Sequence, residues 1–223
     1  MRAVLIDFYD TIGRLEGGRI LALREQLAGR VGAPEARFFD VWRASFLDRS
    51  KGLLGPLEQE YAAVLAEVGV TAAPALLAQI ADEERAAWRT SVRFYPEVPS
   101  VLATVREHGL KLALVSNCSD PAADAIRWMN TAALFDTLVL SCEVGLIKPD
   151  AAIYQLACER LAVEPSECAF VGDGGSRELE GAHRLGMLTI RMEQPNHGDD
   201  RAGDQPFHHH LVGLSGLPTA LGL

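Results

Sequence analysis

Ile6-Asp7-Phe8-Tyr9-Asp10-Thr11-Ile12 decides the fold, because here the apolar run from Ala3 to Ile6 ends abruptly in a carboxylate. Such a run predicts a strand that is buried on both faces, as in a parallel sheet. Ligands of open parallel sheets bind at the carboxyl ends of the strands, so Asp7 is a candidate for chemistry. An Asp also commonly caps a turn, and the heptapeptide alone leaves both roles open.

The composition of the 223-residue chain predicts a globular protein with a full-sized core. Hydrophobic residues make up 48% of the sequence, which suits one large domain or one domain with an insertion. The formal net charge of -9 and the scattered positions of the 21 Lys and Arg residues argue against nucleic-acid binding. No segment reaches the roughly 20 apolar residues of a membrane span. We therefore expect neither a nucleic-acid nor a membrane partner.

The cysteine pattern and the first residues favour a cytoplasmic protein. The four cysteines form no paired CxxC metal motif and are interpreted as reduced core thiols; they are Cys118, Cys142, Cys158 and Cys168. The sequence starts directly with the first predicted strand, and we expect no export or transit signal.

The periodicity of the chain predicts two kinds of structure. Between residues 13 and 92, apolar residues recur at helical spacing and are separated by Gly or Pro, in predicted helices at 18–30, 34–51, 56–68 and 74–91. From residue 94 onward, helices alternate with short apolar strands, at 111–115, 137–140, 168–171 and 188–190. The prediction is a doubly wound α/β core of residues 1–12 and 93–223 that is interrupted by a helical cap of residues 13–92. Residues 196–205 are polar and predict a surface loop.

Polar residues follow several of the predicted strands. Ser116 and Asn117 come after one strand and near the start of a helix, where backbone N–H groups attract an anion. Lys148 precedes another helix and could place a cation beside Asp7. Asp173 follows the strand at 168–171, with Glu178 five residues further on. Together these positions favour one site at the edge of the sheet.

These segments, taken in order, resemble the motifs of the haloacid dehalogenase superfamily, and the resemblance covers nearly the whole chain. The motifs are the strand ending in Asp7, the Ser116-Asn117 pair, Lys148-Pro149-Asp150 and Gly172-Asp173. The resemblance implies a Rossmann-like core, a mobile cap, and Asp7 as a nucleophile. It also implies that Lys148 and Ser116 assist catalysis, and that Glu178 holds Lys148 or a metal-bound water.

The sequence mixes marks of two branches of that superfamily. The magnesium phosphatases carry a second Asp two residues after the nucleophile, whereas this chain has Tyr9, as in the 2-haloacid dehalogenases. Trp42-Arg43 and Tyr154 also resemble the dehalogenases. Asp173 resembles the phosphatases, because the dehalogenases have a hydroxyl side chain there. Glu143-Val144-Gly145 likewise resembles the phosphatase pattern.

Charge counting favours a metal-dependent reaction. Three carboxylates, those of Asp7, Asp173 and Glu178, face the single charge of Lys148, and a divalent cation would balance the excess. Mg²⁺ prefers hard oxygen ligands, which Asp7, the backbone carbonyl of Tyr9 and Asp173 could supply.

Three further residues are candidates for substrate binding: Thr11, Asn117 and Arg43. Thr11 is expected mainly to anchor the loop after Asp7, and Arg43 could clamp an anionic substrate or lie solvated on its helix. Tyr9 is interpreted either as a weak proton donor or as an aromatic residue packed under the cap, and Asp10 is a candidate substitute for the missing acid.

Three hypotheses remain. The first is a Mg²⁺-dependent phosphohydrolase that acts on a small anionic phosphate ester. The second is a metal-independent 2-haloacid dehalogenase, and the third is a catalytically weakened member of the superfamily that serves as a binding module. The apolar stripes of the cap are compatible with a homodimer.

Overall fold

The computed structural model describes residues 1–16, 18–194 and 201–223. Residues 196–200 of the surface loop predicted at 196–205 therefore lie outside the described residues.

A six-stranded parallel sheet forms the centre of the molecule, with the strand order β5-β4-β1-β6-β7-β8. Its strands are β1 (Ala3–Ile6), β4 (Lys111–Ser116), β5 (Thr137–Leu140), β6 (Cys168–Gly172), β7 (Leu188–Glu193) and β8 (His209–Val212). The short strands β2 (Gly13–Leu15) and β3 (Val92–Phe94) form a separate antiparallel pair. The predicted doubly wound α/β architecture is confirmed.

Strand β1 is central because it is apolar on both faces. Val4 and Ile6 pack into the core on one side of the sheet, and Ala3 and Leu5 pack into the core on the other side. All four residues are fully buried. Asp7 follows directly and is the first ionisable residue after the strand.

Helices cover both faces of the sheet. Residues of α6 (Val98–Glu107), α7 (Asp120–Trp128) and α11 (Leu217–Ala220) join the core on one face, whereas α9 (Ala151–Leu161) and α10 (Glu178–Arg184) join the core on the other. A four-residue helix, α8 (Ser141–Val144), follows β5.

Among the residues that the structure describes, five helices lie between the two short strands β2 and β3. They are α1 (Arg19–Val31), α2 (Glu35–Ala44), α3 (Phe46–Ser50), α4 (Leu57–Glu67) and α5 (Pro74–Ser91). Most of them contribute to an apolar cluster of their own that includes Phe38, Trp42 and Tyr61. We refer to these helices as the cap; the division at residues 12 and 93 stays a prediction.

The single helix predicted at residues 34–51 is wrong, because the chain breaks at Ser45 between α2 and α3. The Ser45 hydroxyl donates a hydrogen bond to the Trp42 carbonyl at 3.0 Å, and such local bonds compete with helix continuation. Among the described residues, no helix combines the length and the apolar character that a membrane crossing requires.

Candidate active site

Asp7 lies at the carboxyl end of β1 with its side chain almost completely buried. Its backbone N–H donates to the Val171 carbonyl at 2.9 Å and continues the pairing with β6 for one residue. The Thr11 hydroxyl donates to Asp7 Oδ2 at 3.2 Å, and Gln194 in turn donates to the Thr11 carbonyl at 2.7 Å. The carboxylate is therefore held in one orientation by the loop that follows it.

Lys148 lies between two buried carboxylates. Its ammonium group donates to Asp7 Oδ1 and to Glu178 Oε2, and all three side chains are nearly inaccessible to solvent. The bond between Lys148 and Pro149 is cis. Tyr154 supports the same arrangement, because its buried hydroxyl donates to the Glu178 carbonyl at 2.8 Å.

The electrostatics of this group follow from burial and from its excess of negative charge. Burial raises the pKa of Asp7; the Lys148 charge opposes that effect and Asp173 adds to it. Burial, followed by the charge of Asp7, raises the pKa of Glu178 well above its ordinary value. Burial lowers the pKa of Lys148, but Asp7 and Glu178 together outweigh that effect and raise it. Lys148 is therefore firmly protonated.

Asp173 completes an acidic cluster with Asp7 and Glu178. Each of the three residues offers a carboxylate oxygen, and these oxygens lie within 4.8 Å of one another. Asp173 Oδ1 accepts a hydrogen bond from the Gly175 backbone N–H at 2.9 Å. Oxygen ligands at this spacing suit a hard dication, so the donor set fits Mg²⁺.

Arg201 belongs to this site, and sequence reasoning missed it, as it missed Gln194. Its guanidinium pairs with Asp173 Oδ2 at 3.1 Å and also with Asp10. Asp10 has a left-handed backbone conformation, with φ of 58°. The guanidinium adds positive charge beside Asp173, which the charge count from the sequence did not include.

Ser116 and Asn117 follow β4 and lie in different environments. The Ser116 hydroxyl is buried and has no hydrogen-bond partner among the described residues, so it is available to a bound oxygen. Both polar atoms of the Asn117 amide bind the Lys148 backbone: Nδ2 donates to the Lys148 carbonyl at 3.0 Å, and Oδ1 accepts from the Lys148 backbone N–H at 2.8 Å. Asn117 thus holds the loop that carries Lys148.

Tyr9 lies under the cap between aromatic rings. Its ring centroid is 4.8 Å from that of Phe8 and 6.2 Å from that of Trp88. Within the described residues its buried hydroxyl has no hydrogen-bond partner. Burial, with smaller contributions from Cys118 and Asp7, raises the pKa of Tyr9 well above its ordinary value. The phenol is therefore a hydrogen-bond donor but a poor acid.

Comparison with known families places the chain in a family of hydrolases. A sequence model of the haloacid dehalogenase-like hydrolases matches residues 1–186. The chain belongs to this hydrolase family. The match covers β1, the cap and the segments that contain Asp7, Lys148 and Asp173.

Relatives of this hydrolase fall into both chemical branches. Glyceraldehyde 3-phosphate phosphatase of Methanopyrus kandleri is 34% identical over 106 residues, which are 47% of this chain and 46% of that protein. (S)-2-haloacid dehalogenase 1 of Pseudomonas sp. is 32% identical over 128 residues, which are 57% of this chain and 56% of that protein. The alignments thus span about half the length of these relatives.

Solved structures share the fold over the whole chain. The 2-haloacid dehalogenase of Pseudomonas syringae has a TM-score of 0.73 at 24% identity and covers 100% of this chain and 99% of its own. A phosphatase of the same superfamily from Thermococcus onnurineus has a TM-score of 0.69 at 23% identity, with coverage of 100% and 98%. Both similarities support the fold of this hydrolase.

Among the described residues, no contact links Arg43 to the acidic cluster of this hydrolase. Its guanidinium pairs with Asp40 three residues earlier on α2, and its side chain is 69% exposed. The structure therefore favours the solvated alternative over the substrate clamp. Of the other predicted residues, Asp7, Thr11, Asn117, Lys148, Asp173 and Glu178 are connected through the contacts described above.

Proposed function

We propose that this hydrolase is a Mg²⁺-dependent phosphohydrolase that acts on a small anionic phosphate ester. The observation that carries the proposal is the acidic cluster of Asp7, Asp173 and Glu178, whose oxygens lie within 4.8 Å of one another. The positive charges of Lys148 and Arg201 balance only part of the negative charge, because Asp10 adds a further carboxylate beside Arg201. A phosphate dianion would be repelled without a further cation.

In this proposal Asp7 is the nucleophile. Its carboxylate attacks phosphorus, the bond to the leaving group breaks, and water then hydrolyses the aspartyl-phosphate. Lys148 and the unpartnered Ser116 hydroxyl stabilise the phosphoryl oxygens, where charge accumulates. Glu178 and Asn117 hold Lys148 in place, one through its ammonium group and the other through its backbone.

The dication would be held by Asp7 and Asp173, with the Tyr9 carbonyl as the further ligand that we predict. When bound, it would supply positive charge to the phosphoryl group. The helical cap would exclude water from the site and contribute to the choice of substrate.

A metal-independent 2-haloacid dehalogenase is the second candidate, because Tyr9 lies two residues after the nucleophile and (S)-2-haloacid dehalogenases are among the relatives. Such an enzyme needs a cation to hold the substrate carboxylate. Arg43, the residue predicted for that role, is exposed and paired with Asp40. The third hypothesis, a binding module, is motivated by Tyr9 in place of a carboxylic acid.

A panel of phosphate esters and 2-haloacids, assayed with Mg²⁺ and with EDTA, tests the proposal. We expect release of phosphate that requires Mg²⁺ and is lost in Asp7→Asn. Halide release from 2-chloropropionate in EDTA would support the dehalogenase instead. No turnover above that of Asp7→Asn with any compound would support the binding module.

A further inference from the structure

A cleft of about 370 Å³ opens beside Tyr9, between the cap and the carboxyl end of the sheet. Six of the residues that line it present largely apolar side chains: Tyr9, Leu15, Phe46, Trp88, Cys118 and Ala122. The volume lies in the range of small-molecule sites. The lining includes Tyr9, which follows Asp7 closely, and Asn117, which holds the loop of Lys148, so the leaving group of a substrate bound at Asp7 can extend into the cleft.

Two walls of the cleft leave large apolar side chains exposed. Leu15 is 43% exposed and Phe46 is 47% exposed, although each would be stabilised by burial. Trp88 and Tyr9 meet edge to face in the same cleft. Exposed apolar side chains that surround a concave site indicate a surface that a ligand covers.

Ser119, Asp10 and Asn117 are polar residues that line the cleft, and the last two already have partners. The Asp10 carboxylate pairs with Arg201, and the Asn117 amide pairs with the backbone of Lys148 through both its polar atoms. Among the described residues that line the cleft there is no Lys or Arg. A second anionic group on the substrate would therefore lack a counter-ion here, and sugar hydroxyls would find few partners.

The lining of the cleft restricts the leaving group in a second way. Among the described residues that line the cleft, the only carboxylic acid is Asp10, which pairs with Arg201. An alkoxide leaving group needs a proton from such an acid, whereas the oxygen of a phenol leaves more easily as an anion. The apolar walls and the engaged carboxylic acid therefore favour the same kind of substrate.

On the basis of the proposed phosphohydrolase activity, we propose that the cleft binds an apolar aryl group and selects aryl phosphate monoesters. An Asp7 oxygen forms a bond to phosphorus as the bond from phosphorus to the aryl oxygen breaks. The electron pair leaves on the aryloxide, which later takes a proton from solvent. Water then attacks the phosphorus of the acyl phosphate and releases inorganic phosphate and the Asp7 carboxylate.

The binding test avoids differences in leaving-group reactivity. In Asp7→Asn with Mg²⁺, calorimetry should show that 1-naphthyl phosphate binds about tenfold to a hundredfold more tightly than glycerol 3-phosphate, as expected for burial of one aryl group. Equal affinities for the two esters would overturn the proposal.

The kinetic test compares two neighbouring residues of α3. Phe46 lines the cleft, whereas Leu47 is 58% exposed and does not. Phe46→Ala should lower kcat/KM for 1-naphthyl phosphate about tenfold more than kcat/KM for acetyl phosphate, whose leaving group is small. Leu47→Ala should change neither value. Equal effects of the two variants on 1-naphthyl phosphate would also overturn the proposal.

Acetyl phosphate separates this inference from the proposed function. If acetyl phosphate is hydrolysed with Mg²⁺ but the aryl preference is absent, the cleft assignment fails and the phosphohydrolase stands. If no phosphate compound is hydrolysed above the level of Asp7→Asn, the phosphohydrolase itself fails, and the selection of aryl esters fails with it.

Discussion

Asn117 and Lys148 are joined by a reciprocal pair of hydrogen bonds between the Asn117 amide and the Lys148 backbone. The amide nitrogen donates at 3.0 Å, and the amide oxygen accepts at 2.8 Å. The side chain of Lys148 then reaches Asp7 and Glu178 from this fixed backbone. The position of the Lys148 ammonium group thus depends on Asn117, which follows β4.

Loss of this pair should damage catalysis more than binding. In Asn117→Ala both hydrogen bonds disappear, and we expect kcat to fall roughly tenfold to a hundredfold, because small displacements of catalytic groups are costly. KM should change little, since the side chain's polar atoms face Lys148. Asn117→Asp keeps an acceptor for the Lys148 N–H and should have an intermediate effect. Steady-state kinetics in which both variants match the wild type would contradict the positioning role.

Removal of Arg201 should strengthen metal binding. Its guanidinium neutralises part of the charge of Asp173, so Arg201→Gln should bind Mn²⁺ roughly threefold to fivefold more tightly, as expected for a partly exposed ion pair. Arg177→Gln is the matched control, because it removes one positive charge from an exposed residue that pairs with Glu180 and Asp204. Calorimetric titration with Mn²⁺ measures both affinities. Mn²⁺ affinity that is unchanged or weaker in Arg201→Gln, relative to the wild type, would contradict the prediction.

The cap contains a buried carboxylate that should make stability depend on pH. Glu60 on α4 is fully buried, and its carboxylate oxygens have no hydrogen-bond partner within the described residues. Burial raises the pKa of Glu60 from 4.5 to about 7, although the Arg49 charge opposes the rise. Between these two pH values the folded state binds more protons than the unfolded state, so the free energy of unfolding falls as pH increases.

Glu60→Gln should remove that dependence. Near pH 4.5 the variant and the wild type should have similar stability, whereas at pH 8 the variant should be more stable by up to about 3 kcal/mol. Urea unfolding at the two pH values measures the difference. A stability difference that is the same at both pH values would show that Glu60 does not titrate in this way.

The parts of the site that the sequence predicted are those that depend on strand ends. Asp7, Asn117 and Asp173 follow parallel strands, and the carboxyl ends of such strands meet at one edge of a sheet. Glu178 was predicted to hold Lys148 or a metal-bound water, and its side chain forms an ion pair with Lys148. These relationships follow from the topology of the sheet, which the alternation of helices and strands in the sequence predicts.

Contacts across long stretches of chain without a periodic pattern could not be predicted. Arg201 reaches Asp10 across 191 positions, from the end of a polar segment that carries no helical or strand signal. The strands β2 and β3 have three residues each, too few for a period to appear. The role of Arg43 depended on which face of α2 it occupies, and the identity of the residue does not determine that.

The most direct test of the account is to trap the covalent intermediate on Asp7. The protein is mixed with acetyl phosphate and Mg²⁺, quenched in acid within one turnover, and digested for mass spectrometry. We predict a phosphoryl group on the peptide that contains Asp7, which is absent in Asp7→Asn and absent when EDTA replaces Mg²⁺. A 1-carboxyethyl ester on the same peptide after reaction with 2-chloropropionate in EDTA, with no phosphoryl adduct from acetyl phosphate, would contradict the account.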